Sequence, residues 1–129
     1  MIVVTDTHSL IWFLTNDKKL SHRAASIFRM VDKNESTAVI PSIVMAETMH
    51  ICEKKGTLLK FEEVLKIIHE SKNYIIHNLD YQILNEIAKY KKLNDIHDRI
   101  IVATANLIGA GLITNDSEIK NSSYVKIIW

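Results

Sequence analysis

The strongest constraint on the fold is an alternation between two kinds of hydrophobic segment. Short apolar runs rich in β-branched residues recur along the chain, and longer stretches with helical spacing separate them. Runs of the first kind are typical of buried strands, and the spacing of the second kind is typical of helices. The predicted strands are Ile2–Thr5, Thr37–Ile40, Tyr74–His77, Leu112–Thr114 and Tyr124–Ile128. Strands that alternate with helices favour a three-layer α/β/α sandwich around a mainly parallel sheet.

The length and apolar content indicate one folded domain over residues 1–129. A chain of 129 residues, 47% of them hydrophobic, can bury enough surface to offset its ordering entropy, which excludes disorder. With only 3 Gly and 1 Pro, and no repeat or low-complexity tract, the sequence offers few linkers. Two helical stretches separate the second and third predicted strands, so the order is not a plain βα repeat.

Charge, cysteine content and hydropathy exclude several classes of protein. The net charge of +1 gives no general positive field for nucleic acid, so such binding would need a local patch or bound cations. One cysteine, Cys52, cannot form an internal disulfide. The first residues lack a signal-peptide pattern, and no apolar run approaches the ~20 residues of a membrane span. A cytoplasmic protein with no membrane contact is expected.

Two acidic residues directly follow predicted strands. Asp6 comes after the first strand, and Asp116 lies two residues beyond Thr114. In an open parallel sheet, ligands bind beyond the carboxyl ends of the strands, so both carboxylates are expected at one edge of the sheet. Each has a simpler explanation: Asp6 as the N-cap of a helix starting near Thr7, and Asp116 as the N-cap of a short turn.

A third acid is predicted on the apolar face of a helix within Pro41–Lys54, which begins with proline, a residue favoured in the first turn. The neighbours of Glu47 at i−4, i−3 and i+4 are Ile43, Val44 and Ile51. A carboxylate among aliphatic groups is costly unless it is paired, hydrogen-bonded or bound to a metal. The alternative is a boundary glutamate whose carboxylate reaches water.

A fourth acid, Asp98, has the same kind of surroundings. Its neighbours at i+3, i+4 and i+7 are Ile101, Val102 and Ala105, the buried stripe of a helix. Asp95 is a plausible N-cap for that helix, with Asp98 in the first turn, where the helix dipole favours an anion. Capping and dipole effects therefore explain both residues without a catalytic role.

A cluster of these acids would repel itself unless a cation compensated the charge. Oxygen ligands suit Mg²⁺ or Mn²⁺, whereas the single cysteine and scattered histidines show no zinc-ligand spacing. His50 and His97 are interpreted as surface residues or residues at the edge of a substrate site.

Four stretches together resemble the PIN domain, in particular the ribonuclease toxins of VapBC-type toxin–antitoxin pairs. The resemblance extends from the first strand to the terminal Val125–Trp129, and its most specific part is the third stretch. The stretches are Val3–Trp12, Pro41–Glu47, Asp95–Ala105 and Leu112–Asp116.

The resemblance implies a set of site residues. Asp95 matches an accessory acid of the family, Thr114 matches a supporting hydroxyl, and Ile96 departs from the pattern because many relatives have proline there. Asp6, Asp98 and Asp116 are the expected ligands of Mg²⁺ or Mn²⁺, while Glu47 would bind the metal or orient water. The family's acidic quartet falls on Asp6, Glu47, Asp98 and Asp116.

The same resemblance implies metal-dependent hydrolysis of RNA phosphodiester bonds, a homodimer, and a cognate antitoxin that covers the acids. Arg99, Lys54 and Lys55 are candidate contacts to the RNA backbone, although each is individually more typical of a solvated rim. Lys60, Lys91 and Lys92 are weaker candidates of the same kind.

Other protein classes fit less well. A haloacid-dehalogenase-type phosphatase normally has a second Asp where His8 stands, and Gly109-Ala110-Gly111 precedes a strand, on the wrong side for a phosphate loop. A receiver-like signalling module gives Glu47 and Asp98 no role. A PIN-like module that binds RNA or a partner without cleavage remains the alternative.

Overall fold

The computed structural model describes every residue from Met1 to Trp129. The strands are β1 (Ile2–Thr5), β2 (Thr37–Pro41), β3 (Tyr74–His77), β4 (Gly111–Ile113) and β5 (Ile127–Ile128). The helices are α1 (Thr7–Leu14), α2 (His22–Asp32), α3 (Ser42–Cys52), α4 (Phe61–Glu70), α5 (Tyr81–Ile87), α6 (Ile96–Leu107) and α7 (Ser117–Ser122). None of these helices combines the length and apolarity needed to cross a membrane.

The strands form one parallel sheet in the order β3-β2-β1-β4-β5. The chain adds β2 and β3 on one side of β1 and then places β4 on the other side. The carboxyl ends of β1 and β4 are therefore neighbours at the point where the strand order reverses. In parallel sheets this is where a crevice opens for ligands.

Helices flank the sheet, and consecutive strand residues are buried on both of its faces. Val3 and Val4 in β1 point to opposite faces, and neither is exposed to solvent. The outer helices contribute the apolar residues that the helical spacing predicts; in α2 these include Phe28, whose ring stacks on Phe13 at 4.7 Å. This confirms the predicted α/β fold with a parallel sheet between helices.

The structure corrects three boundaries. Pro41 is the last residue of β2, paired with His77, and it immediately precedes α3 instead of occupying its first turn. Thr114 lies beyond the end of β4. The last strand has only two residues and not the predicted Tyr124–Ile128; the Tyr124 carbonyl accepts a hydrogen bond from the Asn106 side chain.

Candidate active site

A cavity of about 410 Å³ opens at the point where the strand order reverses. It is lined by five carboxylic acids and by no lysine or arginine. All four members of the acidic quartet expected from the sequence are among them, together with the accessory acid. The complete lining is Asp6, Thr7, His8, Trp12, Glu47, Asp95, Asp98, Ile101, Asn115 and Asp116.

Asp6 is held in place by the strand-to-helix junction that it occupies. Its Oδ1 accepts a hydrogen bond from the Ser9 N–H at 2.8 Å, which makes Asp6 the N-cap of α1. Its own N–H donates to the Ile113 carbonyl of β4 at 3.2 Å, so the residue is also tied to the adjacent strand. The capping role expected from the sequence is confirmed, and the same bond fixes the direction of the carboxylate.

Thr114 connects the two acids that follow β1 and β4. Its hydroxyl donates to Oδ2 of Asp6 and accepts the N–H of Asp116 at 3.0 Å. Asp116 in turn caps α7 by accepting the Ile119 N–H on Oδ1 at 2.9 Å. Thr114 is completely buried, whereas Asp6 is partly exposed and Asp116 is exposed, so a buried hydroxyl joins two acids that face solvent.

The beginning of α6 supplies two further acids. Asp95 is the N-cap and accepts the His97 N–H on Oδ1 at 2.7 Å, while Asp98 lies in the first turn. The next residues along the predicted stripe, including Ile101 and Val102, are buried as expected. Packing of that stripe directs the Asp98 carboxylate inward, toward the other acids.

Asp98 is the acid whose ionisation is most affected by the cavity. Burial is the largest cause, and the carboxylates of Asp116, Asp95, Glu118 and Glu47 add to it; together they raise the pKa of Asp98 to about 7. The cluster of like charges predicted from sequence therefore exists. Placing a positive charge near Asp98 would favour its ionised form.

Glu47 reaches the cavity from α3 and contacts two other elements. Its Oε1 accepts a hydrogen bond from the Thr7 hydroxyl at 2.9 Å, and its Oε2 lies 3.4 Å from Nδ1 of His97. The fully buried residues of α3 are Val44, Met45 and Thr48. Glu47 therefore lies at the margin of the core, with its side chain 31% exposed, and not among core residues as the helical spacing suggested.

The donors in this cavity are suited to a hard divalent cation. Carboxylate oxygens predominate, and they are the ligands that Mg²⁺ and Mn²⁺ prefer. In their present rotamers, no three acidic, histidine or cysteine side chains converge on one point as a finished ligand set. Asp6 and Asp116 each cap a helix through Oδ1, so a metal could bind Oδ2 without loss of either cap; Oδ2 of Asp6 also accepts the Thr114 hydroxyl.

The basic residues predicted to contact RNA are not part of the acidic cavity. Arg99 is partly buried, and its Nε donates to the Leu93 carbonyl at 2.7 Å. Lys54 lines a neighbouring groove together with His8, His50 and His97. Lys55 is exposed and lines neither.

Five residues of the lining were not among the predicted site residues: Thr7, His8, Trp12, Ile101 and Asn115. His8 and Trp12 are four residues apart in α1 and therefore share a helix face, a signal that the spacing carries once Asp6 is placed at the start of that helix. Asn115 lies between two residues that were identified, Thr114 and Asp116.

A sequence model of the PIN-domain family matches residues 3–123 of the chain. The matched region includes β1 to β4 and every acid of the cavity. Among curated protein sequences, none matches the chain.

Several solved structures share the fold. One is VapBC2 from Rickettsia felis, bound to a DNA fragment from its promoter, with a TM-score of 0.73, 19% identity, and coverage of 98% of this chain and 97% of that one. A second is FitAcB from Neisseria gonorrhoeae, with a TM-score of 0.68, 15% identity, and coverage of 98% and 96%. A third is VapC20 from Mycobacterium tuberculosis, a toxin that cleaves the sarcin–ricin loop, with a TM-score of 0.68, 10% identity, and full coverage of both chains.

Proposed function

This chain belongs to the PIN-domain family, and from that premise we propose that it is a metal-dependent endoribonuclease, the toxin of a toxin–antitoxin pair, with one nuclease domain over residues 1–129. The observation that carries the proposal is the convergence of five carboxylic acids from separate parts of the chain on one cavity. Such an arrangement stores repulsion in the protein, which a divalent cation would relieve. A cap or a surface ion pair requires no such convergence.

Asp6, Asp98 and Asp116 are the proposed ligands of Mg²⁺ or Mn²⁺, and Asp95 supports them. The bound cation would supply an activated water and neutralise charge on the phosphate. Asp6 and Asp116 hold their positions through the caps and through Thr114. Asp6, Asp95 and Asp116 cap the N-termini of α1, α6 and α7 and line the cavity. The positive ends of three helix dipoles are therefore next to the cavity, which favours an anionic substrate.

Glu47 is the proposed residue that orients the attacking water. The Thr7 hydroxyl holds one carboxylate oxygen, and His97 lies beside the other. A carboxylate fixed from two sides presents its remaining lone pairs in a defined direction. A water in the cavity could donate a hydrogen bond to Glu47 and pass it a proton during attack on phosphorus.

A cognate antitoxin and a homodimer belong to the same proposal. Toxin–antitoxin complexes are among the solved structures that share the fold. The surface also exposes large apolar side chains that a partner could cover, notably Tyr81 at 81%, Ile96 at 57% and Leu84 at 50%.

The test is cleavage of a total RNA pool by the purified protein with Mg²⁺ or Mn²⁺. We expect EDTA to abolish cleavage, and Asp98→Asn to reduce it by about 100-fold or more, a magnitude ordinary for the loss of one catalytic group. Asp80→Asn is the control, because Asp80 is an acid at the beginning of another helix, the N-cap of α5, and lies outside the cavity. Cleavage that survives both EDTA and Asp98→Asn would refute the mechanism.

The alternative, a module that binds RNA or a partner without cleaving it, predicts a different pattern. Binding would then persist in EDTA and in Asp6→Asn, and no variant of the cavity would change the integrity of the RNA.

A further inference from the structure

Trp12 separates the acidic cavity from a second cavity of different character. It is the one residue that lines both. The second cavity, of about 490 Å³, is formed where α1 leads through a loop into α2. Its lining includes Lys18, His22 and Arg29, whereas the acidic cavity contains no basic residue except His8.

The indole ring of Trp12 is partly exposed. The ammonium of Lys19 lies over the ring, 5.8 Å from its centroid, and the Lys19 side chain is 69% exposed. A base that stacks on this face would displace the Lys19 ammonium. The ring of His8, itself exposed, lies 5.7 Å away at an angle of 46°. The ring of Trp129 packs against Trp12 in an edge-on arrangement, with 6.1 Å between the ring centroids.

The positive charges of the second cavity are available to a ligand. Lys18, His22 and Arg29 are exposed, and none of them forms an ion pair within the chain. Asp17 is the only acid in the lining, and its nearest cation is Lys19 at 3.9 Å. A phosphate entering this cavity would therefore meet unpaired cations.

We propose that Trp12 is a stacking platform for a nucleobase beside the cleaved phosphodiester, and that the RNA backbone continues past Trp12 into the cavity lined by Lys18 and Arg29. The inference rests on the proposed function and names the residues that position its substrate. It assigns the RNA backbone to α1 and α2, and not to Lys54, Lys55 or Arg99.

The chemistry of RNA explains why the strand must be single. In a duplex each base is stacked between its neighbours, and its faces are closed to the protein. In a single strand a base can swing out and stack on an aromatic ring, in sequence-tolerant fashion, while cationic side chains follow the backbone. An aromatic ring at the boundary between a catalytic cavity and a basic groove matches that requirement.

Fluorescence gives a direct test, because the chain contains only Trp12 and Trp129 as tryptophans. In an Asp98→Asn, Trp129→Phe double variant, Trp12 is the sole tryptophan and cleavage is suppressed. The probe is a mixed-sequence RNA of about 12 nucleotides, within the site sizes of single-strand binders, added with Mg²⁺ either alone or annealed to its complement. We expect the single strand to quench Trp12 emission and the duplex to leave it nearly unchanged.

Affinity for the same RNA tests the energetic role of the ring. On the Asp98→Asn background, Trp12→Leu should weaken single-strand binding about tenfold, as expected for the loss of one base–aromatic stack, and Trp12→Phe should retain most of it. Tyr81→Leu is the matched control, because Tyr81 is an exposed aromatic residue that lines neither cavity. Circular dichroism tests whether each variant is folded. If Trp12→Leu is unfolded, the affinity of Trp12→Phe is compared with that of the Asp98→Asn parent instead.

Salt dependence tests the path of the backbone. Arg29→Gln should lower the slope of log affinity against log salt by about 0.7, the value for one phosphate contact on a single strand. Lys66→Gln, a change of equal charge on the exposed surface of α4, should leave the slope unchanged.

The outcomes separate this inference from the proposed function. RNA binding with quenching, in a wild-type protein that never cleaves, would support the platform and refute the nuclease. If the wild type cleaves RNA, any one of three results would refute the platform alone. These are no quenching of Trp12 emission, the same affinity in Trp12→Leu as in its parent, and equal affinity for the single strand and the duplex. Absence of any RNA binding would also refute it and would leave these surfaces to a protein partner.

Discussion

Three acids in the cavity have two tasks each. Asp6, Asp95 and Asp116 use Oδ1 to cap α1, α6 and α7, and all three also line the acidic cavity. A cap stabilises a helix end by about 1 kcal/mol, so the three capping bonds offset part of the repulsion between these carboxylates. The local explanation and the catalytic explanation weighed for Asp6 and Asp116 are therefore compatible.

Asp98 lacks such a compensating bond, and its replacement is expected to stabilise the metal-free protein. Because its pKa is raised from 3.8 to about 7, the folded chain retains a proton that the unfolded chain has lost within that range. The free energy of unfolding therefore falls as the pH rises through this window, and the full loss is present above it. Asp98→Asn should increase stability at about pH 8 by roughly 1–2 kcal/mol, allowing for solvent around a half-buried group.

Urea unfolding in EDTA checks this prediction at two pH values. The difference between Asp98→Asn and wild type should be largest near pH 8 and nearly absent near about pH 3, where the Asp98 carboxyl is mostly protonated in both the folded and the unfolded chain. A variant less stable than wild type near pH 8 would contradict the raised pKa.

The hydroxyl of Thr114 is expected to matter more than its volume. Thr114→Val keeps the shape but removes the donor to Asp6 and the acceptor for the Asp116 N–H. We expect a loss of about 1–3 kcal/mol in the free energy of unfolding, because buried polar groups lose their partners, and a fall in cleavage rate. Ser9→Ala is the control, since the Ser9 hydroxyl is buried without a partner and its removal should be neutral or stabilising. Similar losses in both variants would contradict a specific role for the network.

At the level of elements, β4 brings Thr114 and Asp116 next to Asp6, so its packing determines the site. Gly111 starts this strand opposite Val3 of β1. A Cβ at Gly111 would lie 2.8 Å from Cδ1 and 3.2 Å from Cγ1 of Ile128 in β5. The contact between β4 and β5 therefore depends on the absence of a side chain at this position.

Gly111→Ala should destabilise the protein by about 1–2 kcal/mol, the usual cost of overpacking. Ile128→Val removes the closest atom, Cδ1, and should by itself cost about 1 kcal/mol of stability. The double variant should lose less stability than the sum of the two single losses, because the smaller valine leaves room for the alanine side chain. A double-mutant cycle measured by urea unfolding tests the coupling. Strict additivity would show that Ile128 is not the obstacle.

At the level of the whole molecule, the cavity joins acids from α3, α6 and the ends of β1 and β4. A cation bound among them would stabilise the folded state, because the unfolded chain does not bring these groups together. A ligand at 100 times its dissociation constant adds about 2.7 kcal/mol to the free energy of unfolding. Metal binding is thus measurable without any substrate.

We expect Mn²⁺ or Mg²⁺ to raise the thermal unfolding midpoint of the wild type in a concentration-dependent manner, and EDTA to reverse the shift. Asp98→Asn should show a much smaller shift, and Asp80→Asn should match the wild type. An equal shift in all three proteins would mean that the cation binds elsewhere.

The sequence by itself determined the features that depend on neighbouring residues. Helical spacing, β-branched runs and the caps at Asp6, Asp95 and Asp116 involve bonds to residues two or three positions away. A general rule about the ends of parallel strands then placed Asp6 and Asp116 together. The apolar run at the end of the chain overestimated the length of β5, because a local run does not show which of its residues pair with β4.

Only the tertiary structure decided how distant residues are combined. Thr114 meets Asp6 across 108 positions, and Thr7 meets Glu47 across 40. The burial of Arg99 against Leu93 and the place of Trp12 between two cavities likewise follow from how elements pack. Local hydrogen bonds and periodicity are encoded in a few adjacent side chains, whereas contacts between elements depend on the packing of the entire core, and no local pattern specifies them.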